Sequence, residues 1–287
     1  MKTKSTVLSQ TFSINTGGKL LTFSQPLVMG ILNLTHDSFY AASRVPDERS
    51  YLSRAGQMLS EGAAILDIGG QSTRPRATVL SAAEERKNVV PALRGILKRF
   101  PGTVISIDTY HSEVARAAVE NGAVIVNDVS AGNLDPEMIT TVAGLGVPYV
   151  AMHMQGTPAT MQRQPLYEDV VQEILDFFIA KIYQCRAAGI RDIIADPGFG
   201  FGKTSAHNYT LLKHLSVFHL LEVPLLVGLS RKSMIWRLLE VPPEDALNGT
   251  TALHMLALQQ GTQLLRVHDV KAARQAIRLW EYYRQQR

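Results

Sequence analysis

Residues that could do chemistry recur in this chain at one kind of position, directly after a short apolar run. The residues at these positions are Asn33, Asp108, Asn127, His153, Asp196, Ser230 and Arg266. The carboxylates and amides among them accept hydrogen bonds, which suits a ligand with clustered N–H donors, such as an aminopyrimidinone or pterin ring. A second set is cationic and suits phosphate oxygens. Its members are Arg74, Lys232, Arg266 and His268. Together the two sets indicate a polar heterocycle on one side of a site and a phosphate or diphosphate on the other.

Several of these residues also have an ordinary structural interpretation. An aspartate or asparagine at the end of a strand often caps the following helix, which applies to Asp108 and Asn127. Arg266 and His268 could form a solvated pair or contact a helix dipole. His153 lies between two methionines and is better explained as a histidine of the core than as a ligand contact. The interpretation as a ligand site therefore depends on the convergence of the whole set.

The most glycine-rich stretch, Asp196–Thr204, follows an apolar run and contains three glycines, two phenylalanines and a lysine. The lysine suggests a phosphate-binding loop, but the register excludes both common types. A Walker loop needs a glycine five residues before Gly202, and the chain has Pro197 there. A dinucleotide fingerprint that starts at Gly198 needs a glycine where the chain has Lys203. The glycines instead allow the backbone to approach a ligand closely.

The candidate site residues at the strand ends need a regular fold to bring them together. Along the chain, short β-like runs alternate with longer helical patterns. About eight strand–helix units of about 36 residues match the βα repeats of a barrel. The strand runs lack polar alternation, which predicts a parallel sheet covered on both faces. In an open doubly wound sheet, the alternative, the edge strands could not aim their ends at one site, whereas a barrel gathers all strand ends at one mouth. We therefore predict an α/β fold, a (β/α)8 TIM barrel forming a single domain over residues 25–287. Residues 1–24 are expected to be an N-terminal extension, a β-hairpin that plugs the bottom of the barrel.

The composition excludes several classes of function. The 287 residues are 46% apolar and carry a net charge of +4, with 29 basic and 25 acidic residues spread along the chain, which gives no basic stripe for nucleic acid. No apolar run approaches the roughly 18 residues of a membrane span, and the N-terminus lacks the apolar core of a signal peptide. The single cysteine, Cys185, excludes an intramolecular disulfide and fits a reducing, cytoplasmic location. It is expected to be a small buried apolar residue of a helix.

A transition-metal site is not indicated, because no His, Cys and carboxylate residues have suitable spacing. Mg²⁺ can be held by one side-chain oxygen together with substrate phosphates and needs no motif. Asn33 is the candidate ligand for it.

Ordered segments over most of the chain match one known family. They are Met29–Phe39, Asp67–Pro75, Ser106–Thr109, Asn127–Asp128, Met152–Gly156, Asp196–Lys203, Ser230–Met234 and Arg266–Asp269. From about Leu27 to Val270 the chain resembles the dihydropteroate synthases of folate biosynthesis. The resemblance implies a (β/α)8 barrel, Mg²⁺ as cofactor and a homodimer. It also implies a reaction that joins p-aminobenzoate to 6-hydroxymethyl-7,8-dihydropterin diphosphate and releases diphosphate and 7,8-dihydropteroate.

The resemblance also implies roles for individual residues. Those expected to bind the pterin are Asp108, Asn127, Met154, Asp196, Gly228 and Lys232. Those expected to bind the diphosphate are Asn33, which also holds Mg²⁺, with Arg74, Arg266 and His268. Those expected to bind p-aminobenzoate are Thr73, Pro75, Phe201, Lys232 and Ser233. Those expected to act in catalysis are Asp37, Thr73, Arg74, Arg266 and His268. The expected reaction is a dissociative displacement, in which Asp37 stabilises the cation or orients the arylamine.

The chain departs from the family pattern at His36, Gln71 and Arg76, where members usually carry proline, glutamate and glycine. These residues lie in or beside the first two loops, so they bear on loop stiffness and on the affinity for p-aminobenzoate, whose position sulfonamides compete for in this family. Two other functions remain as alternatives, a pterin-binding methyl-carrier module for a corrinoid partner and an inactive relative. A methyl carrier would keep Asp108, Asn127 and Asp196 but have no need of Arg74, Lys232–Ser233 or His268. The chain has these residues, which favours the synthase. The last helices, with Trp280, Tyr282 and Tyr283, are either a dimer contact or packing aromatics of the barrel.

Overall fold

The structure is a computed structural model that describes residues 11–34, 47–71, 80–158, 160–161 and 165–286. The strands in these ranges are β1 (Ser13–Thr16), β2 (Lys19–Thr22), β3 (Leu27–Asn33), β4 (Ile65–Gly69), β5 (Ile105–Asp108), β6 (Ile125–Asp128), β7 (Tyr149–Met152), β8 (Ile193–Asp196), β9 (Leu226–Val227) and β10 (Leu264–Val267). The α-helices are α1 (Glu48–Ser60), α2 (Ala82–Arg99), α3 (Ser112–Glu120), α4 (Met138–Leu145), α5 (Val170–Ala188), α6 (Ser205–Lys213), α7 (Ser233–Trp236), α8 (Leu247–Gln259) and α9 (Val270–Gln285). Short 3₁₀ helices cover Leu215–Leu221 and Pro243–Asp245.

The strands β3 to β10 form a closed parallel barrel. Strands β3 to β8 pair in chain order, and β10 lies between β3 and β9. The ring closes where Ala195 and Leu225 form a parallel bridge between β8 and β9, with the Ala195 amide donating to the carbonyl of Pro224 at 2.9 Å. This closure confirms the barrel and rules out the open sheet. It also means that the carboxyl ends of all eight strands surround one opening.

The predicted β-hairpin is present at the start of the described chain. Strands β1 and β2 pair antiparallel, with Ser13 opposite Thr22. Ile14 and Phe23 are buried in one apolar cluster with inward side chains near the beginnings of the barrel strands, such as Ile65 of β4. The hairpin therefore packs on the amino-terminal end of the strands, and the opposite end remains for the site.

The helices cover the outside of the barrel and follow most of the sequence signals. Ser81 and Glu84 form a capping box at the start of α2, as their spacing of three residues indicates. Gly146 ends α4 in the left-handed conformation with φ of 65°, which explains the glycine there. Cys185 of α5 is buried as expected, and burial raises the pKa of its thiol to about 11. Among the described residues, no helix has the length and apolar character to cross a membrane.

The sequence pattern predicts helices over 135–145, 205–215 and 232–239, and all three are shorter in the structure. The helix over 205–215 ends at Lys213 and is followed by a 3₁₀ helix, and the one over 232–239 is α-helical only in α7. The helix over 135–145 begins at Met138, and the carboxylate of Asp135 accepts from the amides of Ser112, at the start of α3, and of Glu137. A periodic pattern does not reveal such competing side-chain contacts.

Candidate active site

Alternate side chains of each strand point into the barrel, and near the carboxyl ends these inward side chains are polar. On β4, for example, Asp67 points inward while Ile68 packs in the outer layer. The inward polar residues come from different strands, namely Asp67, Asp108, Asn127, Asp196 and Arg266. The barrel thus brings together residues that are up to about two hundred positions apart in the chain.

Arg266 is the centre of this polar layer. Its Nε donates to Asp67 Oδ2 at 2.6 Å and its Nη2 to Asp108 Oδ2 at 2.5 Å. Asn127 Nδ2 donates to the same Asp67 oxygen at 2.9 Å. The side chains of Asp108 and Asn127 are therefore engaged inside the barrel, not in capping the helices that follow.

Asp67 was not assigned a role by sequence reasoning, yet it links two of the predicted residues, Arg266 and Asn127. It is fully buried, and its Oδ1 has no hydrogen-bond partner among the described residues. The missed signal was a carboxylate in the middle of an otherwise apolar strand, because a buried charge needs a partner.

Two carboxylates of the layer are hard to ionise. Burial raises the pKa of Asp108 to about 7; Arg266 opposes this rise, and the nearby charge of Asp67 adds to it. Burial also raises the pKa of Asp196, against the opposing effects of Lys232 and of the Gly198 amide, which donates to Asp196 Oδ1 at 2.8 Å. These raised pKa values mark a crowded acidic floor that a ligand with several N–H donors would relieve.

Lys232 connects this floor to the glycine-rich loop. Its Nζ donates to the carbonyl of Phe199 and lies 4.7 Å from the centre of the Phe201 ring. Burial lowers the pKa of Lys232 to about 8, although Asp196 opposes this. A Cβ on Gly228 would lie 3.7 Å from this Nζ, so the strand end approaches the ammonium closely.

The glycine-rich loop itself is held from below by Lys203. Its Nζ donates to the carbonyls of Gly198 at 3.0 Å, Phe201 at 3.1 Å and His153 at 3.3 Å, and contacts His153 Nδ1 at 3.0 Å. Burial lowers the pKa of His153 to about 2, so its ring is neutral and Nδ1 accepts from the lysine. His153 is thus the core histidine that the sequence suggested. Lys203 is a structural residue of the loop, and burial lowers the pKa of its amino group well below the usual value.

Two predicted diphosphate ligands lie at the rim. His268 is half-buried; its amide donates to Ser230 Oγ at 3.1 Å, and its carbonyl accepts from Arg54 at 2.6 Å. The sequence suggested a positive charge at His268, but burial, with Arg266 nearby, lowers the pKa of its imidazole to about 4. The ring is therefore neutral near pH 7. Asn33 ends β3 beside Gly69, where a Cβ would lie 3.4 Å from Asn33 Oδ1.

The other predicted residues divide into two groups. Met154 follows β7, Phe201 lies in the glycine-rich loop and Ser233 begins α7, and all three are half-buried. The remaining predictions lie outside the described residues, and they concern Asp37, Thr73, Arg74 and Pro75, together with the departures at His36 and Arg76.

The described residues contain no cluster of three or more His, Cys, Asp or Glu side chains that would hold a metal ion by themselves. The donor set at the mouth still fits Mg²⁺, because this ion commonly takes one protein oxygen, several waters and substrate phosphate oxygens. The amide oxygen of Asn33 is of the right type and lies at the rim of the polar layer.

Comparison with known proteins agrees with this geometry. A family model described as pterin binding enzyme matches residues 29–268. The chain belongs to the pterin-binding enzyme family. Within it, the dihydropteroate synthase of Escherichia coli strain K12 is 44% identical over 266 residues, which cover 92% of this chain and 94% of the relative.

Solved structures of dihydropteroate synthases have the same fold as this chain. The structure of Yersinia pestis dihydropteroate synthase with a sulfonamide drug has a TM-score of 0.89 and 43% identity, covering 95% of this chain and 99% of that one. The Xanthomonas albilineans enzyme in complex with 7,8-dihydropteroate has a TM-score of 0.86 and 38% identity, covering 96% and 100%. The resemblance to dihydropteroate synthases, which transfer an alkyl group other than methyl in folate synthesis, is thereby confirmed.

Proposed function

We propose that the polar mouth of this barrel joins 6-hydroxymethyl-7,8-dihydropterin diphosphate to p-aminobenzoate, forming 7,8-dihydropteroate and releasing diphosphate. The observation that best supports this is Arg266 held between Asp67 and Asp108, beside Asn127 and Asp196, at the carboxyl end of the strands. The dihydropteroate synthases among the relatives support the reaction itself.

The pterin lies in the polar layer. Its amino and ring N–H groups donate to the oxygens of Asp108, Asn127 and Asp196, and Lys232 donates to a ring acceptor. Burial makes this recognition selective, because a ligand lacking one of these groups would leave a buried carboxylate or ammonium without a partner. Met154 and Gly228 line the sides of the ring.

The second substrate lies against the glycine-rich loop. Phe201 packs on the ring of p-aminobenzoate, and Lys232 and Ser233 bind its carboxylate. Phe201 is half-buried next to the Lys232 ammonium, which supports an aromatic anion at this position. Thr73 and Pro75 are the other residues proposed to bind p-aminobenzoate.

The diphosphate lies at the rim, where Arg74, Arg266 and His268 bind it. Two of the five N–H donors of Arg266 are used by Asp67 and Asp108, which leaves capacity for a phosphate oxygen. The neutral imidazole of His268 contributes a hydrogen bond. Asn33 and the diphosphate would hold Mg²⁺, which would neutralise charge on the leaving group.

The chemical step is a dissociative displacement. The bond between the methylene carbon and the diphosphate oxygen breaks first, the electron pair leaves with diphosphate, and the cation is delocalised into the dihydropterin ring. The arylamine nitrogen then forms the C–N bond and loses one proton to solvent. The described residues orient the ring and stabilise the leaving charge, and Asp37 stabilises the cation.

Separate Asp196→Asn and Arg266→Ala variants test this proposal. Each is expected to lose at least about a hundredfold in pterin-dependent turnover, measured as diphosphate release with p-aminobenzoate and Mg²⁺. Asp176→Asn and Arg186→Ala, at exposed positions of α5, are the matched controls and should keep wild-type rates. Turnover near wild type in both site variants would overturn the assignment. A methyl carrier or an inactive relative would bind pterin without releasing diphosphate.

Assembly and organisation are further proposals. A homodimer through α8 and α9 is supported by the exposure of Leu279, Tyr282 and Tyr283, which are 68%, 70% and 69% accessible, whereas Trp280 is buried in the barrel layer. Sedimentation analysis of wild type and Tyr283→Glu would test it. We also propose that residues 1–24 form an extension and residues 25–287 the barrel. A cytoplasmic location is a further proposal, and the single cysteine supports it because it suits a reducing compartment.

A further inference from the structure

The side chain of Arg231 joins three parts of the barrel mouth. Its Nε and Nη2 donate to the two carboxylate oxygens of Asp269 at 2.8 and 2.9 Å, which makes a bidentate ion pair. Its Nη1 donates to the carbonyl of Pro243 at 3.0 Å and to that of Glu244. Arg231 lies between β9 and α7, Asp269 lies between β10 and α9, and the two carbonyls belong to the 3₁₀ helix before α8. One guanidinium therefore holds three neighbouring loops together.

The backbone of Arg231 is held as firmly as its side chain. Its φ of 53° lies in the left-handed region, which is unfavourable for a residue with a Cβ. Its amide donates to Thr250 Oγ1 of α8 at 3.1 Å. Beside it, Ser230 Oγ accepts from the amide of His268 at 3.1 Å, which is a second bond between the same two loops. The unusual backbone conformation is therefore supported by several contacts around it.

The carboxylate of Asp269 is used by Arg231 and not by its own helix. Asp269 directly precedes α9, where an aspartate often caps the helix, but it makes no side-chain capping bond there. Burial would raise the pKa of Asp269, but the hydrogen bond and charge of Arg231 hold it below its usual value. The two side chains are only 25% and 24% exposed, so this bidentate pair is more strongly fixed than an ordinary surface ion pair.

The residues after Arg231 are the ones proposed to bind the carboxylate of p-aminobenzoate. Lys232 and Ser233 follow it directly, and α7, which begins at Ser233, has only four residues. A helix of this length is not stable through its own hydrogen bonds, so its surroundings fix its position. Met234 and Ile235 anchor it by burial on one side. The turn at Arg231 fixes the end of the helix that faces the mouth.

We propose that Arg231 is a positioning residue of the reaction, which sets the affinity for p-aminobenzoate by holding Lys232 and Ser233 in place through its contact with Asp269. This inference rests on the proposed function for the roles of Lys232 and Ser233. Asp269 and the two carbonyls take four hydrogen bonds from a guanidinium with five N–H donors. Arg231 therefore acts on the substrate through its neighbours in the chain.

Steady-state kinetics of Arg231→Asn at saturating pterin diphosphate tests the inference. Asparagine adopts the left-handed conformation more readily than most residues, so the substitution mainly removes the guanidinium. The KM for p-aminobenzoate should rise about tenfold, as expected for the loss of one hydrogen bond to a charged group. The kcat should stay within about threefold of wild type, because the contact is made equally in the ground state and the transition state. A role in stability alone would lower the amount of active enzyme, and so the apparent kcat, without changing KM.

Two further variants complete the comparison. Arg231→Lys keeps a charge near Asp269 but not the fork, so its KM should fall between those of wild type and Arg231→Asn. The control is Arg94→Gln, which removes an arginine whose Nε donates to Asn121 Oδ1 at 2.6 Å between α2 and the end of α3, and it should match wild type. An unchanged KM in Arg231→Asn, or an equal rise in Arg94→Gln, overturns the inference. If Arg231→Asn does not fold, the KM of Arg231→Lys decides in the same way.

Quenching of tryptophan fluorescence by acrylamide gives a readout that does not depend on turnover. The chain has two tryptophans, of which Trp236 is half-buried at the end of α7 and Trp280 is buried in α9. In a Trp280→Phe background the signal reports α7 alone, and Arg231→Asn should raise the quenching constant about twofold by loosening the helix. Equal quenching constants overturn the inference. A wild-type protein that makes no dihydropteroate overturns the proposed function instead, and the quenching constants then still decide whether Arg231 holds α7.

Discussion

Replacing Asp67 with asparagine keeps the shape of the side chain and removes its charge. In the wild type, one oxygen of Asp67 accepts from Arg266 at 2.6 Å and from Asn127 at 2.9 Å. Both contacts weaken in Asp67→Asn, because the Arg266 contact is no longer an ion pair and the Asn127 contact becomes a hydrogen bond between two neutral groups. The loss is about 2 to 3 kcal/mol for the two contacts together, which corresponds to a fall in kcat/KM of about 30- to 160-fold. This follows only if Asp67 orients the residues that hold the pterin.

The same substitution should move the titration of a neighbouring carboxylate. Burial raises the pKa of Asp108 to about 7, the charge of Asp67 adds to the rise, and Arg266 opposes it. Without the charge of Asp67 the pKa of Asp108 falls, and Arg266 has one carboxylate fewer to share, which lowers it further. A shift of about one pKa unit or more is expected from the loss of one close like charge.

The assay is the pH dependence of kcat/KM for the pterin diphosphate, which reports groups of the free enzyme. In the proposed function the ionised Asp108 accepts from the pterin, so wild-type kcat/KM should decrease as the pH falls below about 7. In Asp67→Asn this decrease should occur at lower pH, although the plateau is lower. Asp192→Asn is a suitable control, because Asp192 accepts from the Asn15 amide at the opposite end of the barrel. A pH profile that stays in place, or moves to higher pH, would refute the reasoning.

Two further predictions concern the supports of the site. Gly198 has φ of 70°, and a Cβ there would lie 1.9 Å from the carbonyl oxygen of His153, so Gly198→Ala should lower the free energy of unfolding by at least about 2 kcal/mol in urea titrations. Gly144→Ala, which would meet no atom within 4 Å, should not. Burial raises the pKa of Glu85 from near 4.5 to about 8, although the hydrogen bond from Thr109 opposes this rise. The protonated side chain therefore contributes its full stabilisation of the folded state below about pH 4.5. This stabilisation is lost as the pH rises through about 8. Because one pKa unit is about 1.4 kcal/mol, wild type should lose about 4 kcal/mol relative to Glu85→Gln between pH 5 and 8.5, and parallel stability curves for the two proteins would contradict this.

The sequence predicted the barrel and the strand-end residues of the site because both follow from local patterns. Asp108, Asn127 and Asp196 come directly after or at the end of apolar runs, and a barrel gathers such positions by its geometry alone. The role of Asp67 was not predicted because it lies within a strand and its partners, Arg266 and Asn127, are distant in the chain. No local sequence pattern indicates which buried carboxylate pairs with which cation.

The charge of a side chain was equally hard to predict from its type. His268 was grouped with the cations, yet burial and the nearby Arg266 keep its imidazole neutral near pH 7. The usual pKa of histidine is close to neutral pH, so even a small effect of the surrounding residues decides its charge. Those surroundings are formed only when β10 is placed beside β3 and β9.

The glycine-rich loop has the composition of a phosphate-binding loop, but its backbone amides are not arranged as one. Phosphate loops bind through backbone amides that point at the ligand. Here the amide of Gly198 donates to Asp196 at 2.8 Å and that of Gly200 to Asn208 at 2.7 Å, so these groups already serve protein acceptors. Lys203 donates to the carbonyls of Gly198 and Phe201 and is only 4% exposed, so its hydrogen bonds stabilise the turn and its amino group does not reach the rim. The cations for the diphosphate that we propose as leaving group therefore come from elsewhere on the mouth. Arg266, on β10 and two strands from the loop, is one of them, and the loop contributes its aromatic face.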